Sequence, residues 1–156
     1  MRIIINNFVT LLKVGYFPYF PGTVGSFFSY IILIIANIYL SYLSLIFFFI
    51  LIFIISIYFI NIYLKDLQDH DPKEIVIDEF LGCFLIFLFY PFFKENHYFL
   101  FLIISFFLFR FFDIFKLFPI NSIDKNIKNS YGVVLDDIVA GIYTIISLKI
   151  IYVYIL

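Results

Sequence analysis

The sequence predicts an all-α, membrane-embedded helical bundle with about four to five apolar segments, and three observations support this prediction. Hydrophobic residues make up 65% of the 156-residue chain, charged residues only 13%, and the mean hydropathy is +1.12. A soluble globule carries roughly a quarter charged residues. Residues 24–64 contain no charged side chain at all. A chain of this length predicts one domain, spanning residues 1–156.

The composition also excludes several classes of function. The formal net charge is −1 and the sequence has no long basic run, so nucleic-acid binding is not expected. Cys83 is the only cysteine, which rules out an internal disulfide and a cysteine-only metal site. We interpret it as a small apolar filler. The N-terminus lacks a small-residue cleavage site, and we do not expect a signal peptide there.

Residues 1–20 predict an interfacial or amphipathic lead-in, and a glycine-containing stretch follows it, Phe20-Pro-Gly-Thr-Val-Gly-Ser26. Pro21 suits the first turn of a helix, and the two glycines permit close approach of the backbone. The stretch is therefore either an ordinary helix start or a place where backbone N–H groups hold a phosphate. In the second case Thr23 and Ser26 would add hydroxyl groups to the binding site.

The uncharged run over residues 24–64 is too long for one membrane span. A single helix of that length would extend about 60 Å, roughly twice the hydrocarbon thickness of a bilayer. We therefore expect two antiparallel spans that fold back near residues 37–44. Residues 65–74 form a predicted polar loop, in which His70 stands among acidic residues and is interpreted as a solvated loop histidine.

The third segment, residues 75–93, carries two adjacent carboxylates, Asp78 and Glu79, in its first turn. One interpretation is structural, because the helix dipole favours negative charge at an N-terminus. The other is functional, because a carboxylate pair beside an apolar segment is costly without a compensating cation. Gly82 follows Asp78 by one turn and is expected to leave space beside the carboxylate.

The fourth segment, residues 98–115, follows a short polar turn and ends in a charged stripe. Arg110, Asp113 and Lys116 are three residues apart and share one helix face, as snorkelling interfacial charges or as a binding site. Residues 117–131 predict a loop. The last apolar segment then begins with a second acid pair, Asp136 and Asp137, again followed one turn later by small residues.

Counting the membrane crossings between these motifs places all of them at one face of the membrane. If each apolar segment crosses once, the glycine-containing stretch, both acid pairs and the charged stripe all lie on the same side. Most basic residues share that side, and the positive-inside rule makes it cytoplasmic. The basic residues on this side are Arg2, Lys13, Lys65, Lys73, Arg110, Lys116, Lys125 and Lys128, with Lys94 and Lys149 opposite.

The grouped residues suit metal-assisted phosphoryl chemistry at a membrane surface. Carboxylate oxygens are the ligands that Mg²⁺ prefers, and Mg²⁺ commonly completes its shell with water and substrate phosphate. Arg110 would hold phosphate oxygens as a planar fork and Lys116 as a point charge. The predicted metal ligands are Asp78, Glu79, Asp136 and Asp137.

Four blocks of the sequence together resemble the phosphatidylglycerophosphatase A family. Each block is short, but they occur in the family's order through most of the chain, from about Gly15 to Tyr143. The blocks are Pro21-Gly-Thr-Val-Gly-Ser26, Ile75-Val-Ile-Asp-Glu-Phe-Leu-Gly82, Phe109-Arg-Phe-Phe-Asp-Ile-Phe-Lys116 and Leu135-Asp-Asp-Ile-Val-Ala-Gly141.

The resemblance implies a multi-pass enzyme of the bacterial inner membrane whose active site faces the cytoplasm. Its expected reaction is Mg²⁺-dependent hydrolysis of phosphatidylglycerophosphate to phosphatidylglycerol and phosphate, a step of glycerophospholipid biosynthesis. Its expected partners are this lipid and the bilayer, and the sequence does not specify an oligomeric state. The expected catalytic residues are Asp78, Glu79, Asp113, Asp136 and Asp137. The expected substrate-binding residues are Thr23, Ser26, Arg110 and Lys116.

Two other classes of function compete with this interpretation. A small ion- or proton-coupled transporter would use intramembrane acids to bind its coupling ion, and would place them deep within the spans. A non-catalytic assembly subunit would use the same charges to bind a partner protein. The acids lie near one face with basic residues beside them, which argues against the transporter, and a phosphatase assay on purified protein separates the assembly subunit from the enzyme.

Overall fold

The computed structural model describes residues 2–65, 72–93 and 98–154, and this part of the chain is all-α. The predicted fold class is confirmed. Residues 66–71, including His70, and residues 94–97, including Lys94, for which the sequence predicted a polar loop and a polar turn, lie outside the described residues. The helices are α1 Arg2–Val9, α2 Pro21–Tyr39, α3 Tyr42–Lys65, α4 Ile77–Phe89, α5 Tyr98–Phe115, α6 Ile120–Asn126 and α7 Ser130–Tyr154, with 3-10 turns at Val14–Tyr16 and Tyr90–Phe92.

Three of these helices, α2, α3 and α5, are long and apolar enough to cross a membrane. They have 19, 24 and 18 residues, and most of each surface is not buried inside the protein. The chain therefore has the features of a membrane protein. The fold-back between α2 and α3 falls at residues 40–41, within the region that the sequence predicted.

Helix α4 forms the centre of the bundle rather than a further span. Its 13 residues extend only about 20 Å, which is short of the roughly 30 Å hydrocarbon core. Ten of the 13 residues are buried, and the side chains of Leu81, Cys83 and Ile86 are fully inaccessible. The expectation that Cys83 is an apolar filler agrees with this position. Residues at the start of α4 are thus held rigidly by neighbours on several sides.

The lead-in supports the segment that enters α4. Helix α1 buries Ile5 and Val9, and the backbone carbonyl of Val9 accepts a hydrogen bond of 3.0 Å from the N–H of Val76. Gly15 lies directly against the backbone carbonyl of Glu74, where a β-carbon would clash. This contact requires glycine. The amphipathic lead-in therefore fixes the backbone immediately before Asp78.

The close approach of α4 and α7 depends on two glycines. A β-carbon on Gly141 would lie 2.9 Å from the carbonyl oxygen of Gly82. One on Gly82 would lie 2.8 Å from the carbonyl oxygen of Asp137 and 2.6 Å from the ring of Phe109. Small residues permit such crossings in membrane proteins. From the sequence we expected Gly82 to leave space beside Asp78. In the structure Gly82 instead faces α7.

Two expectations about the last third of the chain are wrong. Residues 117–131 are not all loop, because α6 occupies Ile120–Asn126. This segment is rich in polar residues and was therefore predicted as loop, but its residue Ile120 is fully buried and holds the helix against the bundle. Helix α7 begins at Ser130, so Asp136 and Asp137 lie in its second turn rather than at its start. The fourth segment, in contrast, coincides with α5.

Candidate active site

A cavity of about 350 Å³ lies where the N-terminal ends of α2 and α4 meet the C-terminal end of α5 and the second turn of α7. The four sequence motifs, which the count of membrane crossings assigned to one face, therefore surround one pocket. Most of the pocket's polar side chains come from these motifs. Its polar lining comprises Thr23, Lys73, Asp78, Glu79, Arg110, Asp113, Lys116, Asp136 and Asp137.

Three carboxylates in this pocket are close enough to share one cation. Asp78, Glu79 and Asp137 each contribute an oxygen, and these atoms lie within 4.8 Å of one another. Asp78 and Asp137 are buried, and the side chain of Glu79 is 12% exposed. One oxygen of Glu79, Oε2, and one of Asp137, Oδ1, are buried without a hydrogen-bond partner among the described residues. We call these three residues the acidic triad.

The electrostatics of the acidic triad favour a bound positive charge. Burial raises the pKa of the Glu79 carboxyl above its ordinary value, and a hydrogen bond with Asp78 and the charge of Arg110 offset this only in part. Buried carboxylates of like charge disfavour one another's ionised forms. A divalent cation bound between these carboxylates would offset this penalty and could serve as a partner for the two unsatisfied oxygens. The donor set, carboxylate oxygens alone, suits a hard cation.

Arg110 is held beside the acidic triad by residues of two helices. Its Nη1 lies 2.5 Å from Asp113 Oδ2 and 3.9 Å from Glu79 Oε1. The same nitrogen donates a hydrogen bond of 3.2 Å to Ser26 Oγ. Ser26 in turn donates to the Gly22 carbonyl at 2.8 Å. Asp113 and Ser26 thus fix the orientation of the guanidinium, and Ser26 does not line the pocket itself.

Lys116 connects the pocket to α6. Its Nζ donates hydrogen bonds to Asp124 Oδ1 at 2.6 Å and to Asp136 Oδ2 at 2.9 Å. Partial burial lowers the pKa of Lys116, but the hydrogen bonds and charges of the two carboxylates outweigh that effect and raise the pKa overall. The ammonium is therefore charged at neutral pH. It has three N–H donors, so one remains for a ligand.

The pairing with Lys116 separates Asp136 from its neighbour. Asp136 lines the pocket but lies outside the acidic triad, which Asp137 joins. Consecutive residues on a helix point about 100° apart, so an adjacent pair rarely faces the same ligand. On α4 both members of the pair reach the triad, and Glu79 has one more methylene than an aspartate. The role of Asp136 as a metal ligand stays a prediction.

The start of α2 brings backbone N–H groups to the pocket. Pro21, Gly22 and Thr23 form the first turn of the helix and line the cavity. The first N–H groups of a helix have no intrahelical partner and attract anions. A β-carbon on Gly22 would collide with Glu79 Oε1 and lie 3.3 Å from Arg110 Nη2, so a larger residue does not fit. Both interpretations of this stretch, helix start and anion site, are compatible with the geometry.

Sequence reasoning missed several residues that also line the pocket, among them Phe20, Lys73 and Ile114. Lys73 stands in a polar stretch and gave no signal beyond its charge. Phe20 and Ile114 are apolar residues in an apolar chain, so nothing in the sequence distinguished them from lipid-facing positions. Only the packing of α2 against α5 places both at the mouth of the cavity.

The arrangement can bind a divalent cation and a phosphate group together. A cluster of carboxylate oxygens lies beside one guanidinium, one ammonium and a helix N-terminus, within a single cavity. Charge neutralisation and positioning are what phosphoryl transfer requires of a protein.

Comparisons with known proteins agree with this chemistry. A family model described as phosphatidylglycerophosphatase A matches residues 7–152. A Haemophilus influenzae protein named phosphatidylglycerophosphatase A is 33% identical over 149 residues, covering 93% of this chain and 89% of the relative. A protein of the same name from Escherichia coli is 36% identical over 78 residues, covering 50% of this chain and 43% of the relative.

A third relative differs in name. A Bacteroides thetaiotaomicron protein, provisionally named a phosphatidylinositol-3-phosphatase, is 29% identical over 140 residues and covers 87% of this chain and 86% of its own length. No solved structure matches the chain at a significant level.

Proposed function

The chain belongs to the phosphatidylglycerophosphatase A family of hydrolases, and from this premise we propose that it hydrolyses phosphatidylglycerophosphate to phosphatidylglycerol and phosphate in a Mg²⁺-dependent reaction. The observation that carries the proposal is the acidic triad, with two unsatisfied buried oxygens, beside two cationic side chains. A phosphomonoester has the complementary charge.

Asp78, Glu79 and Asp137 would hold the Mg²⁺ ion. The fit rests on their oxygen-only donor set and on the two carboxylate oxygens that lack partners among the described residues. When bound, Mg²⁺ supplies Lewis-acid charge to a phosphoryl group. Asp136 is a further candidate from the sequence, and its contact with Lys116 makes it the link between the ion site and the cationic side of the pocket.

The chain's own cations would bind and orient the phosphate. Arg110 presents a planar fork of N–H donors, and Asp113 and Ser26 hold that fork in place. Lys116 has a remaining donor, and the N–H groups of Gly22 and Thr23 add dipoles at the start of α2. These groups would neutralise the negative charge of the phosphoryl oxygens in the transition state, and such electrostatic stabilisation accounts for most of the rate enhancement in many enzymes.

The proposed location is a bacterial inner membrane, with the pocket open to the cytoplasm. Support comes from the three candidate spans and from the excess of lysine and arginine at the end of the chain's apolar segments where the pocket lies. The enzyme would thus act on a lipid whose headgroup lies in the cytoplasmic leaflet.

Family membership and geometry both argue against the transporter alternative. That alternative placed acids deep within membrane spans, whereas the acidic triad lies on α4 and α7, outside the three candidate spans. The triad also has cationic neighbours that a phosphate requires and a cation transporter does not.

The substrate is tested by phosphate release from three defined lipids. Purified protein would be assayed with phosphatidylglycerophosphate, phosphatidylinositol 3-phosphate and phosphatidic acid in mixed micelles, each with Mg²⁺ or with a chelator. We expect the highest kcat/KM for phosphatidylglycerophosphate, and release only with Mg²⁺. Equal release in the chelator, or faster hydrolysis of either other lipid, would contradict the proposal.

A further inference from the structure

Helices α2 and α5 pack antiparallel, and side chains from both helices fill the space between them below the pocket. We call this line of contact the seam. The Ser26 hydroxyl accepts from Arg110, and one turn deeper the Tyr30 hydroxyl donates to Ser105 Oγ at 2.9 Å. The ring of Tyr30 also packs edge-on against Phe106, with centroids 5.4 Å apart. These contacts fill the seam from the level of the pocket floor into the membrane-facing part of the bundle.

Because the helices are antiparallel and Ser26 lies beside Arg110, Phe20 and Ile114 both lie at the end of the seam nearest the pocket. Phe20 lies six residues before Ser26, and Ile114 lies four residues after Arg110, so both stand on the pocket side of that contact. Both line the cavity, yet they are 78% and 63% exposed. The pocket thus has an apolar mouth that continues onto the outer surface of α2 and α5.

This mouth lies between two helices that are candidate membrane spans, so its position is compatible with access from lipid. Helices α2 and α5 are two of the three helices long and apolar enough to cross a membrane, and in such a crossing the outer surface of their seam would face the bilayer. Among the residues that line the cavity, Arg110 and the acidic triad are buried or nearly so, whereas Phe20 and Ile114 are exposed and form its mouth. A charged interior with an apolar entrance fits an amphiphile that inserts its phosphate and keeps its acyl chains in the membrane.

We infer that the gap between the start of α2 and the end of α5 is a lateral entrance for a diacyl lipid phosphate, with Phe20 and Ile114 contacting the glycerol and first acyl carbons. The inference rests on the proposed function and extends it, because it assigns the side from which the substrate arrives. Exposed aromatic residues near a membrane surface also serve as interfacial anchors, and neighbouring residues allow the two roles to be separated.

The test uses two pairs of adjacent residues. Phe20→Gln is matched by Tyr19→Gln, whose side chain is 72% exposed, and Ile114→Gln by Phe115→Gln, which is 65% exposed. The two control residues are not part of the pocket lining. Each variant would be assayed on long-chain phosphatidylglycerophosphate in vesicles and on a water-soluble dibutyryl analogue.

We expect the ratio of kcat/KM for the long-chain lipid to that for the dibutyryl analogue to fall about tenfold in Phe20→Gln and Ile114→Gln, as loss of apolar substrate contacts predicts. The conservative variants Phe20→Leu and Ile114→Leu should restore the ratio. The controls Tyr19→Gln and Phe115→Gln should keep the wild-type ratio.

Two results would contradict the inferred lateral entrance. One is an unchanged ratio in both mouth variants, and the other is an equal fall in the control variants, which would indicate general membrane anchoring. A wild-type protein that releases phosphate from neither substrate would instead refute the proposed function, and the entrance with it.

Discussion

Arg110 is nearly buried and lies between two carboxylates, so its charge is part of the pocket rather than of the protein surface. Its side chain is 13% exposed, and Asp113 and Glu79 are its anionic neighbours. Its Nε is buried without a partner among the described residues. An arginine with an unsatisfied donor, beside carboxylates that could hold a metal ion, is well placed to bind an anionic ligand.

The variant Arg110→Lys tests this role. Lysine keeps the positive charge but loses the planar fork, so we expect KM for phosphatidylglycerophosphate to rise by about tenfold or more, because a hydrogen bond to a charged group contributes about 1.5–3 kcal/mol. Steady-state phosphate release measures the change. The exchange Lys125→Arg, at an exposed position on α6, is the control. An unchanged KM would contradict phosphate binding by Arg110 and would indicate that its role is purely structural.

The individual acids were predictable from the sequence, but their division of roles was not. Carboxylates beside apolar segments identified Asp78, Glu79, Asp136 and Asp137 as one group. The structure unites three of them and pairs Asp136 with Lys116. The difference arises from helix geometry together with the position of α6, whose Asp124 helps to hold Lys116, and neither is visible in the local sequence.

The α4–α7 crossing is the element-level contact on which the acidic triad depends. Two of its acids lie on α4 and the third on α7, so the distance between these helices sets the distance between the carboxylates. Gly82 and Gly141 allow that distance to be short, since each faces a backbone carbonyl of the crossing. Close packing of this kind tolerates little added volume.

We expect Gly141→Ala to lower both stability and activity. The added methyl would lie 2.9 Å from the Gly82 carbonyl oxygen, which forces the helices apart. Overpacking of this kind costs about 1–3 kcal/mol, and displacement of Asp137 should reduce phosphate release. The measurements are the melting temperature and the Mg²⁺-dependent rate. Ile142→Ala, at a 41% exposed position on the same helix, is the control, and equal effects in both variants would contradict this account.

Sequence patterns predicted long elements better than short ones. The 18 residues of α5 were predicted with the observed bounds because a long apolar run between charged residues has few alternatives. The seven residues of α6 were missed because polar residues dominate them, and their helical state depends on the burial of Ile120 and on the Lys116–Asp124 contact. Tertiary contacts decide such short helices.

At the level of the molecule, counting spans predicted that four distant motifs meet at one end, and they surround a single pocket. The number of crossings predicts the side of each motif because every membrane crossing reverses the direction of the chain, however the helices pack. It does not distinguish a short buried helix such as α4 from a true span, since both begin and end on opposite sides of a bundle.

The orientation of the whole molecule is tested by cysteine labelling in a Cys83→Ala background. The variant Asn126→Cys places an exposed thiol at the end of α6, near the pocket, and Ser41→Cys places one at the α2–α3 turn. With the pocket facing the cytoplasm, an impermeant reagent added to intact cells should label Ser41→Cys and leave Asn126→Cys unmodified. The reverse pattern would show that the pocket faces outwards.

The most direct test of the central claim is Mg²⁺-dependent phosphate release by Asp137→Asn. The substitution keeps the shape of the side chain and removes one charge of the acidic triad, so the variant should fold with an equal or higher melting temperature. Its rate with phosphatidylglycerophosphate should fall on the order of a hundredfold, since the lost ligand acts in the transition state. Glu74→Gln, an acid outside the pocket lining, should keep wild-type activity. Wild-type activity in folded Asp137→Asn would contradict the claim that this triad holds the catalytic metal.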